Sequence, residues 1–598
     1  MISKKRIAVI EYESCNPQKC GNYLCEKVCP VNRAGKKCII HEEGQKPLIS
    51  EEQCIGCVIC ENKCPFEAIN IINLSIDLKD PLHSFGKNAF RIYGLPTPKN
   101  SSVVGLVGRN GIGKTTIIKI LSGNIVPNFG EEKAKKPEGK TNDVSEKTSA
   151  EQKVINYYKG KQEQDYFKQL YGEGIKLSIK PQNIEGINVS GKVKDLLKKV
   201  DEKGKLEEIA KELNIENILE RDATQLSGGE FQKLAVAAAG LKEADVYFFD
   251  EPSSFLDIKE RLRVAKFIKK LSEKAAVLVI EHDLILMDFL SDYVHLMYGK
   301  PRVYGTSSQI KTTREGINDY LEGFSKDENY RFRDYEINFY SSIRTESKGK
   351  RDKLVQWPVM SKKLGDFEVE IQENNIVKNE VVSIVGPNGI GKTTFMKILA
   401  GELKPDNNEL QQKVKISYKP QYISYTGEKT AQELFEDTYS EEVKQNFIKP
   451  LELEQLMEKK VKTFSGGELQ RLSIALCLSK KADLYLLDEP SAYLDVEQRL
   501  AVGKVIRSHV EVKNCSAIVI DHDLTFVDYI SDKVMVFEGE PTKRGKSYGP
   551  FDVNDGMNKL LKYLDITVRR DKDTKRPRIN KHDSVLDREQ KKENKYYE

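Results

Sequence analysis

Continuous apolar runs that end in a polar group are the dominant pattern along this chain. VVGLVG at 103–108, VYFFD at 246–250 and VLVIEHD at 277–283 read as strands buried on both faces. VVSIVG at 381–386 and LYLLDE at 484–489 repeat the pattern later. The first run of each set leads through a glycine-rich turn into helical periodicity, IIKIL at 117–121 and FMKIL at 395–399. Buried strands alternating with helices predict an α/β architecture, built twice.

The turns carry chemistry. Gly108, Arg109, Asn110, Gly111, Ile112, Gly113, Lys114, Thr115 and Thr116 form one P-loop. Gly386, Pro387, Asn388, Gly389, Ile390, Gly391, Lys392, Thr393 and Thr394 form a second. Backbone N–H groups and the helix N-terminus of such a loop hold phosphates, the lysine reaches the β/γ-phosphates, and the threonine ligates Mg²⁺. A strand before and a helix after each loop argue against an accidental glycine turn. Asp250 and Asp488 close buried strands, where a carboxylate can hold Mg²⁺, and Glu251 and Glu489 follow as bases or water-positioners. His282, 32 residues beyond Asp250, is a candidate γ-phosphate contact, and His522 repeats it. LSGGE at 226–230 and FSGGE at 464–468 each precede the strand carboxylate by the same interval, 23 residues from Ser227 to Asp250 and from Ser465 to Asp488.

P-loop, glutamine, Ser-Gly-Gly, hydrophobic-DE, SSFLD and histidine, in that order, resemble an ABC-type ATPase nucleotide-binding domain. The resemblance implies that Gln182 and Gln421 are Q-loop residues and further Mg²⁺ ligands beside Thr115, Asp250, Thr393 and Asp488. It makes Ser253–Asp257 the D-loop and His282 and His522 the switch histidines. It also implies adenine stacking on an aromatic before the P-loop, with Phe85 and Phe90 as candidates beside the equally aromatic Tyr93. In the family two ATP are closed head to tail. Ser227 and Gly229 would then serve the nucleotide on Lys392, and Ser465 and Gly467 the one on Lys114.

Composition narrows the setting. At 598 residues the chain exceeds one core, and about three or four domains are expected. With 96 basic and 91 acidic residues the charge is near balance, so only local clusters matter. No apolar run reaches bilayer length and no signal-peptide pattern opens the chain, so a cytoplasmic protein without a membrane segment is expected. Nine of the eleven cysteines lie before residue 65. Cys54, Cys57, Cys60 and Cys64, followed by Pro65, have the spacing of the bacterial ferredoxin motif, whose fourth cysteine ligates the other cluster. By that rule Cys54, Cys57 and Cys60 share a [4Fe–4S] cluster with Cys29, and Cys15, Cys20 and Cys25 share the second with Cys64. Paired zinc sites are the alternative, although these are usually two CxxC elements on a longer spacer. Cys38 is read as a small buried residue.

The two halves differ in length. From lysine to Q-loop glutamine there are 68 residues in the first (182 − 114) and 29 in the second (421 − 392), an insertion of 39 within roughly 125–175. Its charged part suits a solvated loop, while VINYYKGKQEQDYF, with aromatics at helical spacing, suits a surface helix lying on RNA or protein. The expected organisation is an iron–sulfur domain at 1–75, nucleotide-binding domains at 76–310 and 351–550, a hinge at 311–350 and a basic segment at 551–598. Residues 569–598 hold 11 basic and 7 acidic side chains, and this surplus is read either as a disordered tail or as a hinge surface for nucleic acid; RPRIN favours order.

The whole order, including CNPQKC, VCPVNRAGK, CIGCVICENKCPFEAI and RPRINKHDS, resembles the E subfamily of ABC ATPases, the ribosome-recycling or RNase L inhibitor family, over essentially the full chain. That resemblance implies a ferredoxin-like α+β domain before two tandem P-loop ABC domains, with ATP, Mg²⁺ and two [4Fe–4S] clusters as cofactors. It implies ATP-driven splitting of ribosomes after termination or stalling, retention on the small subunit and a link to translation initiation. The implied partners are ribosomal RNA, a release factor or its stalled-ribosome relative, and initiation factors. The chain would act as a monomer whose domains pair internally. In the family the first-half insertion is a helix-loop-helix.

Overall fold

The computed structural model describes residues 6–74, 80–131, 144–161, 163–182, 190–339, 352–408, 414–421, 425 and 427–598. At the N-terminal end β1 (Arg6–Ile10), α1 (Leu24–Val28), α2 (Ile59–Lys63) and β2 (Ile69–Asn73) form a small α+β unit. β1 and β2 pair antiparallel, from Arg6 opposite Asn73 to Ile10 opposite Ile69. The two helices are built alike. Each is entered through a left-handed residue, Tyr23 (φ 57°) or Val58 (φ 52°), and each ends on a cysteine, Cys29 or Cys64. The proline after each cysteine has no N–H to continue the turn.

The first α/β half is built from β3 (Ser102–Gly108), α3 (Lys114–Leu121), α4 (Val144–Tyr157), α5 (Glu163–Lys168), β4 (Leu177–Lys180), α6 (Gly228–Leu241), β5 (Val246–Asp250), β6 (Ala276–Ile280) and β7 (Tyr293–Lys300). Its parallel core has the order β7-β3-β6-β5-β4. Every residue of β3, β5 and β6 is buried, as their unbroken apolar runs require. The register sets Ile280 beside both Asp250 and Leu106, so the carboxyl ends of three strands meet at one edge. In open α/β sheets that edge is where ligands bind.

After α7 (Thr313–Glu322) the second half repeats the plan with β8 (Val381–Val385), α8 (Lys392–Leu399), β9 (Ile416–Lys419), α9 (Gly466–Ser479), β10 (Leu484–Asp488), β11 (Ser516–Ile520), β12 (Lys533–Glu540) and α10 (Val553–Leu564). The strand order is β12-β8-β11-β10-β9, the same topology as the first half. The expected twin α/β architecture with a ferredoxin-like unit in front is therefore present.

Three segments differ in emphasis from the sequence reading. The insertion forms two helices, but most of its aromatics face inward. Tyr158 and Phe167 are buried and stacked with ring centroids 5.1 Å apart, and Tyr166 and Tyr171 pack on the same core. Burying those rings outweighs leaving them at the surface. Tyr157, beside Lys161, remains exposed. The charged stretch 132–143 lies outside the described residues.

The stretch after 310, which shows no long apolar pattern, contains α7, whose Ile317, Tyr320 and Leu321 are buried against the first half; residues 340–351 lie outside the described ones. Beyond 550, α10 packs on β12, and Val568–Arg570 pairs with Pro577–Ile579 as a hairpin. Part of the basic surplus there is used internally. Arg578 and Arg576 pair with Asp288 of the first half, and Arg570 pairs with Asp528 of the second.

Candidate functional site

Both P-loops stand at the carboxyl end of a central strand. Gly111 (φ 75°) and Gly113 (φ 98°) adopt left-handed backbone that side-chain-bearing residues rarely accept, and a Cβ at Gly113 would come within 2.9 Å of Phe90. Gly389 (φ 71°) and Gly391 (φ 94°) repeat this. Lys114 opens α3 and donates to Gly108 O at 2.7 Å and Arg109 O at 2.9 Å. Lys392 donates to Gly386 O at 2.8 Å and Pro387 O at 2.5 Å. Burial lowers the pKa of both ammonium groups, that of Lys392 to about 8. A buried cation whose hydrogen-bond acceptors are loop carbonyls favours an arriving anion. Ile112 and Ile390 are buried in the two hydrophobic cores, which leaves their backbone for the loop. Thr116 and Thr394 are half-buried on the first turn of each helix.

The carboxylates are arranged for a divalent ion. Thr115 Oγ1 donates to Asp250 Oδ2 at 2.8 Å, and Asp250 Oδ1 is buried without a donor. Thr393 stands against Asp488, yet both Asp488 oxygens lack a donor of hydrogen-bond geometry. Burial and the adjacent glutamate push Asp250 and Asp488 up to about 6. Orphaned buried carboxylate oxygens beside a threonine hydroxyl fit a hard oxygen-seeking cation. The amide nitrogens of Gln182 and Gln421 donate to Glu251 and Glu489, each at 2.7 Å, leaving the amide oxygens for such an ion.

Glu251 (φ 49°) and Glu489 (φ 48°) sit in the left-handed region, a strain of about 1–3 kcal/mol that persists only where neighbours fix it. They are fixed from several sides. The Glu251 N–H donates to Ile280 O at 2.9 Å, while its carbonyl accepts from Lys180 at 3.0 Å and Gln232 at 2.6 Å. Gln470 does the same for Glu489 at 2.5 Å, and Lys419 donates to Asp488 O at 2.7 Å. The sequence reading missed Lys180, Lys419, Gln232 and Gln470. The tripeptide KPQ, which ends in the Q-loop glutamine in both halves, is the signal for the two lysines. His282 Nε2 lies 3.3 Å from Glu251 and His522 Nε2 3.5 Å from Glu489. Burial works to raise the two glutamates, but these imidazoles and the P-loop lysines outweigh it and hold both at about 2.

The halves meet across these elements. Asn110 N donates to Asp495 Oδ2 at 2.8 Å, and Asn388 N donates to Asp257 Oδ2 at 2.9 Å, so each P-loop is capped by the other half's D-loop. Ser227 and Ser465 open α6 and α9 in capping boxes with Glu230 and Glu468. A Cβ at Gly229 or Gly467 would meet Phe255 O at 3.0 Å or Tyr493 O at 2.9 Å, which ties each signature glycine to its own D-loop. A cavity of ≈ 1000 Å³ is lined by Lys114, Thr115, Asp250 and Glu251 from one half and by Ser465 and Gly467 from the other.

The aromatic candidates separate. Phe90 lines that cavity, whereas Phe85 is half exposed with its ring 6.3 Å from Phe90. Tyr93 is buried against Tyr304. Phe367 takes the place of Phe90 in the second half, 3.1 Å from a Cβ at Gly391. The sequence reading named no residue there, although the interval to the lysine, 25 residues (392 − 367) against 24 (114 − 90), points to it. Arg109 lines the same cavity, and its guanidinium crosses the interface to Glu452 at 2.8 Å and Glu497 at 3.4 Å.

In the N-terminal unit the thiols group as the motif rule pairs them. Cys29, Cys54, Cys57 and Cys60 line one small cavity together with Cys38. Burial, with Cys64 and Cys20 as neighbours, pushes Cys15 up to about 11, and burial with Cys15, Cys20 and Cys64 nearby pushes Cys25 up to about 12. Alone these sulfurs stay neutral thiols, and only a cationic centre would hold them as thiolates; two groups of converging cysteines of this kind fit iron–sulfur ligation.

Comparison with known proteins agrees with this geometry. An ABC transporter family model matches residues 97–254 and 372–492. A model described as a possible Fer4-like domain in RNase L inhibitor matches residues 6–37. An uncharacterized ABC transporter ATP-binding protein of Methanocaldococcus jannaschii is 47% identical over 99% of this chain and 97% of its own. Translation initiation factor RLI1 of Saccharomyces cerevisiae is 41% identical over 99% of this chain and 98% of its own. Among solved structures, a model of ribosome-bound archaeal Pelota and ABCE1 superposes with a TM-score of 0.93 at 49% identity, covering 100% of both chains. With its cysteine unit, twin P-loops and paired signatures all in order, the chain belongs to the E family of ABC proteins, the RNase L inhibitor family.

Proposed function

We propose that the protein is an ATP-driven ribosome recycling factor, which splits ribosomes after termination or stalling, stays on the small subunit and has a link to initiation. The cavity shared by the first P-loop and the second signature carries this reading, because it makes the nucleotide on Lys114 a bond between halves. Full-length similarity to a translation initiation factor and to a ribosome-bound ABCE1 supports the ribosome as partner. Pelota in that assembly supports a release-factor relative as the second.

The chemistry is ATP + H₂O to ADP and phosphate. Lys114 and Lys392 would take the β/γ-phosphates, and the P-loop amides would hold the remaining oxygens. Glu251 and Glu489 would orient the attacking water and accept its proton, with His282 and His522 at the γ-phosphate. Thr115, Asp250 and Gln182, and their counterparts Thr393, Asp488 and Gln421, would hold Mg²⁺, which neutralises phosphate charge when bound. Ser465 and Gly467 would close on the nucleotide of Lys114, and Ser227 and Gly229 on that of Lys392. Two [4Fe–4S] clusters, on Cys15, Cys20, Cys25 and Cys64 and on Cys29, Cys54, Cys57 and Cys60, would stiffen residues 1–75 into a rigid domain. Closure is a two-state rearrangement biased by ATP, and it would swing that domain against a ribosomal subunit.

Co-sedimentation with ribosomal subunits tests the reading. Migration with the small subunit is expected to depend on a non-hydrolysable ATP analogue, and indifference to ribosomes would overturn it.

A further inference from the structure

Outside the hydrolytic groups, Arg302 and Glu11 form a pair that reaches all three bodies at once. Arg302 (φ 63°) lies in the turn after β7, and its backbone N–H donates to the P-loop oxygen of Gly111 at 2.9 Å. Its guanidinium pairs with Glu11 of the cysteine domain at 2.6 Å and with Glu468 on α9 of the second half. Glu468 is not a passive neighbour. Its other oxygen accepts from Ser465 N at 2.8 Å and Ser465 Oγ at 2.9 Å, so the carboxylate that shapes the second signature is the one that grips Arg302. Lys459 of the second half also approaches Glu11, at 3.6 Å. Glu11 and Glu67 of the cysteine domain line the cavity that holds Lys114 and Ser465.

The other half offers a built-in control. Thr542 (φ 65°) occupies the same turn after β12 and donates its N–H to Gly389 O at 2.9 Å, but it has no cation to offer. Glu230, the counterpart of Glu468, pairs within its own half with Arg221 at 2.8 Å. The two turns share a backbone and differ in whether a side chain leaves it to join other bodies.

We propose that Arg302 is the positioning residue that latches the cysteine domain to the first composite site, so that this domain's position follows movement of the second signature and not of the first. The inference rests on the composite-site reading above. Any shift of Ser465 relative to Lys114 must carry Glu468 and so break or remake its pair with Arg302, which changes the hold on Glu11. A charge-assisted contact of this kind is strong in geometry and modest in free energy because Arg302 is partly exposed.

The test is the distance distribution between one dye on the cysteine domain and one on the first half, read on the intact protein with its clusters. Without nucleotide, Arg302→Gln is expected to lower the docked-to-undocked ratio about twofold to fivefold, with Glu11→Gln doing the same. Arg302→Lys should restore most of the ratio, and Thr542→Ala should leave it unchanged. With a non-hydrolysable ATP analogue, Arg302→Gln should occlude nucleotide at both sites while the cysteine domain ceases to respond. An unchanged ratio in Arg302→Gln, or loss of occlusion at both sites together, overturns the proposal. A wild type whose cysteine domain ignores nucleotide would sink the mechanical reading instead, and the nucleotide-free ratio would still decide the role of Arg302.

Discussion

The two composite sites share a hydrolytic core and differ at their rims. Strand carboxylate, left-handed glutamate, glutamine, histidine and buried lysine superimpose in role across the halves, with matching contacts down to the lysine under the Q-loop. At the rim the first P-loop has Arg109, which reaches Glu452 and Glu497 of the second half, where the second P-loop has Pro387. Arg302 faces Thr542 in the same comparison. Glu497 also receives Arg333 at 2.9 Å, drawing the segment after α7 into the first site. The chemistry of a site is thus duplicated while its mechanical attachments are not. A machine that must move one domain gains direction from having one attached site and one plain one.

The strongest way to break this comparison is at the shared core. Glu251→Gln and Glu489→Gln should each slow phosphate release at their own site by about 10²–10⁴-fold while ATP still binds. Single-turnover kinetics with site-resolved occlusion would check this. If either substitution silenced both sites equally, the halves would not be separate catalytic units. One round of splitting by the double variant with ATP is expected, since binding rather than hydrolysis drives closure; loss of both closure and splitting would refute it.

A second symmetry lies at the C-terminal hairpin, which is held by the same position in each half. Asp288 binds Arg576 and Arg578, and Asp528 binds Arg570 and the Tyr597 hydroxyl. Breaking a buried pair by removing one partner costs about 3–5 kcal/mol. Asp288→Ala and Asp528→Ala should therefore destabilise comparably in denaturant unfolding. A large effect from only one would mean the hairpin belongs to a single half.

The metal-facing carboxylates predict a pH dependence common to both sites. Asp250 and Asp488 stand at about 6, above the usual carboxylate range, so protons compete with the cation below that value. Apparent Mg²⁺ affinity in the nucleotide complex should be level above pH 7 and fall towards roughly tenfold per pH unit below about 6. Titration calorimetry at several pH values measures it, and a flat profile between pH 5 and 7 would contradict the carboxylate assignment. The smallest effect is expected at the rim. Arg109→Ala should weaken closure at the first site by no more than about fivefold, because the pair is partly exposed, and Pro387→Ala should leave the second unchanged. Equal effects would erase the asymmetry.

Much of this was legible in the chain. Short unbroken apolar runs bounded by turns fit strands buried on both faces, and a glycine turn between such a strand and a helix points to phosphate binding by Lys114 and Lys392. The second cysteine run was legible too, because C-x2-C-x2-C-x3-C-P is the ferredoxin spacing, whereas the wider first run says less by itself. The aromatics of the insertion were harder, because interleaved Tyr and Lys look the same whether the rings face a partner or the core. Tyr158 and Phe167 show that here the core won. Phe90 over Phe85 could not be chosen from type alone, as both rings precede the loop by a few turns.

The sequence by itself determined the repeated strands, both P-loops, the signatures and the cysteine unit, because each is specified by residues close together in the chain. Only the tertiary structure decided which groups act together across it. The Arg109–Glu497, Asn110–Asp495 and Arg302–Glu468 contacts join residues more than 160 positions apart. Nothing in local periodicity encodes such pairings. They follow from the sheet order and from how two pseudo-symmetric halves pack, which bring the signature of one over the P-loop of the other.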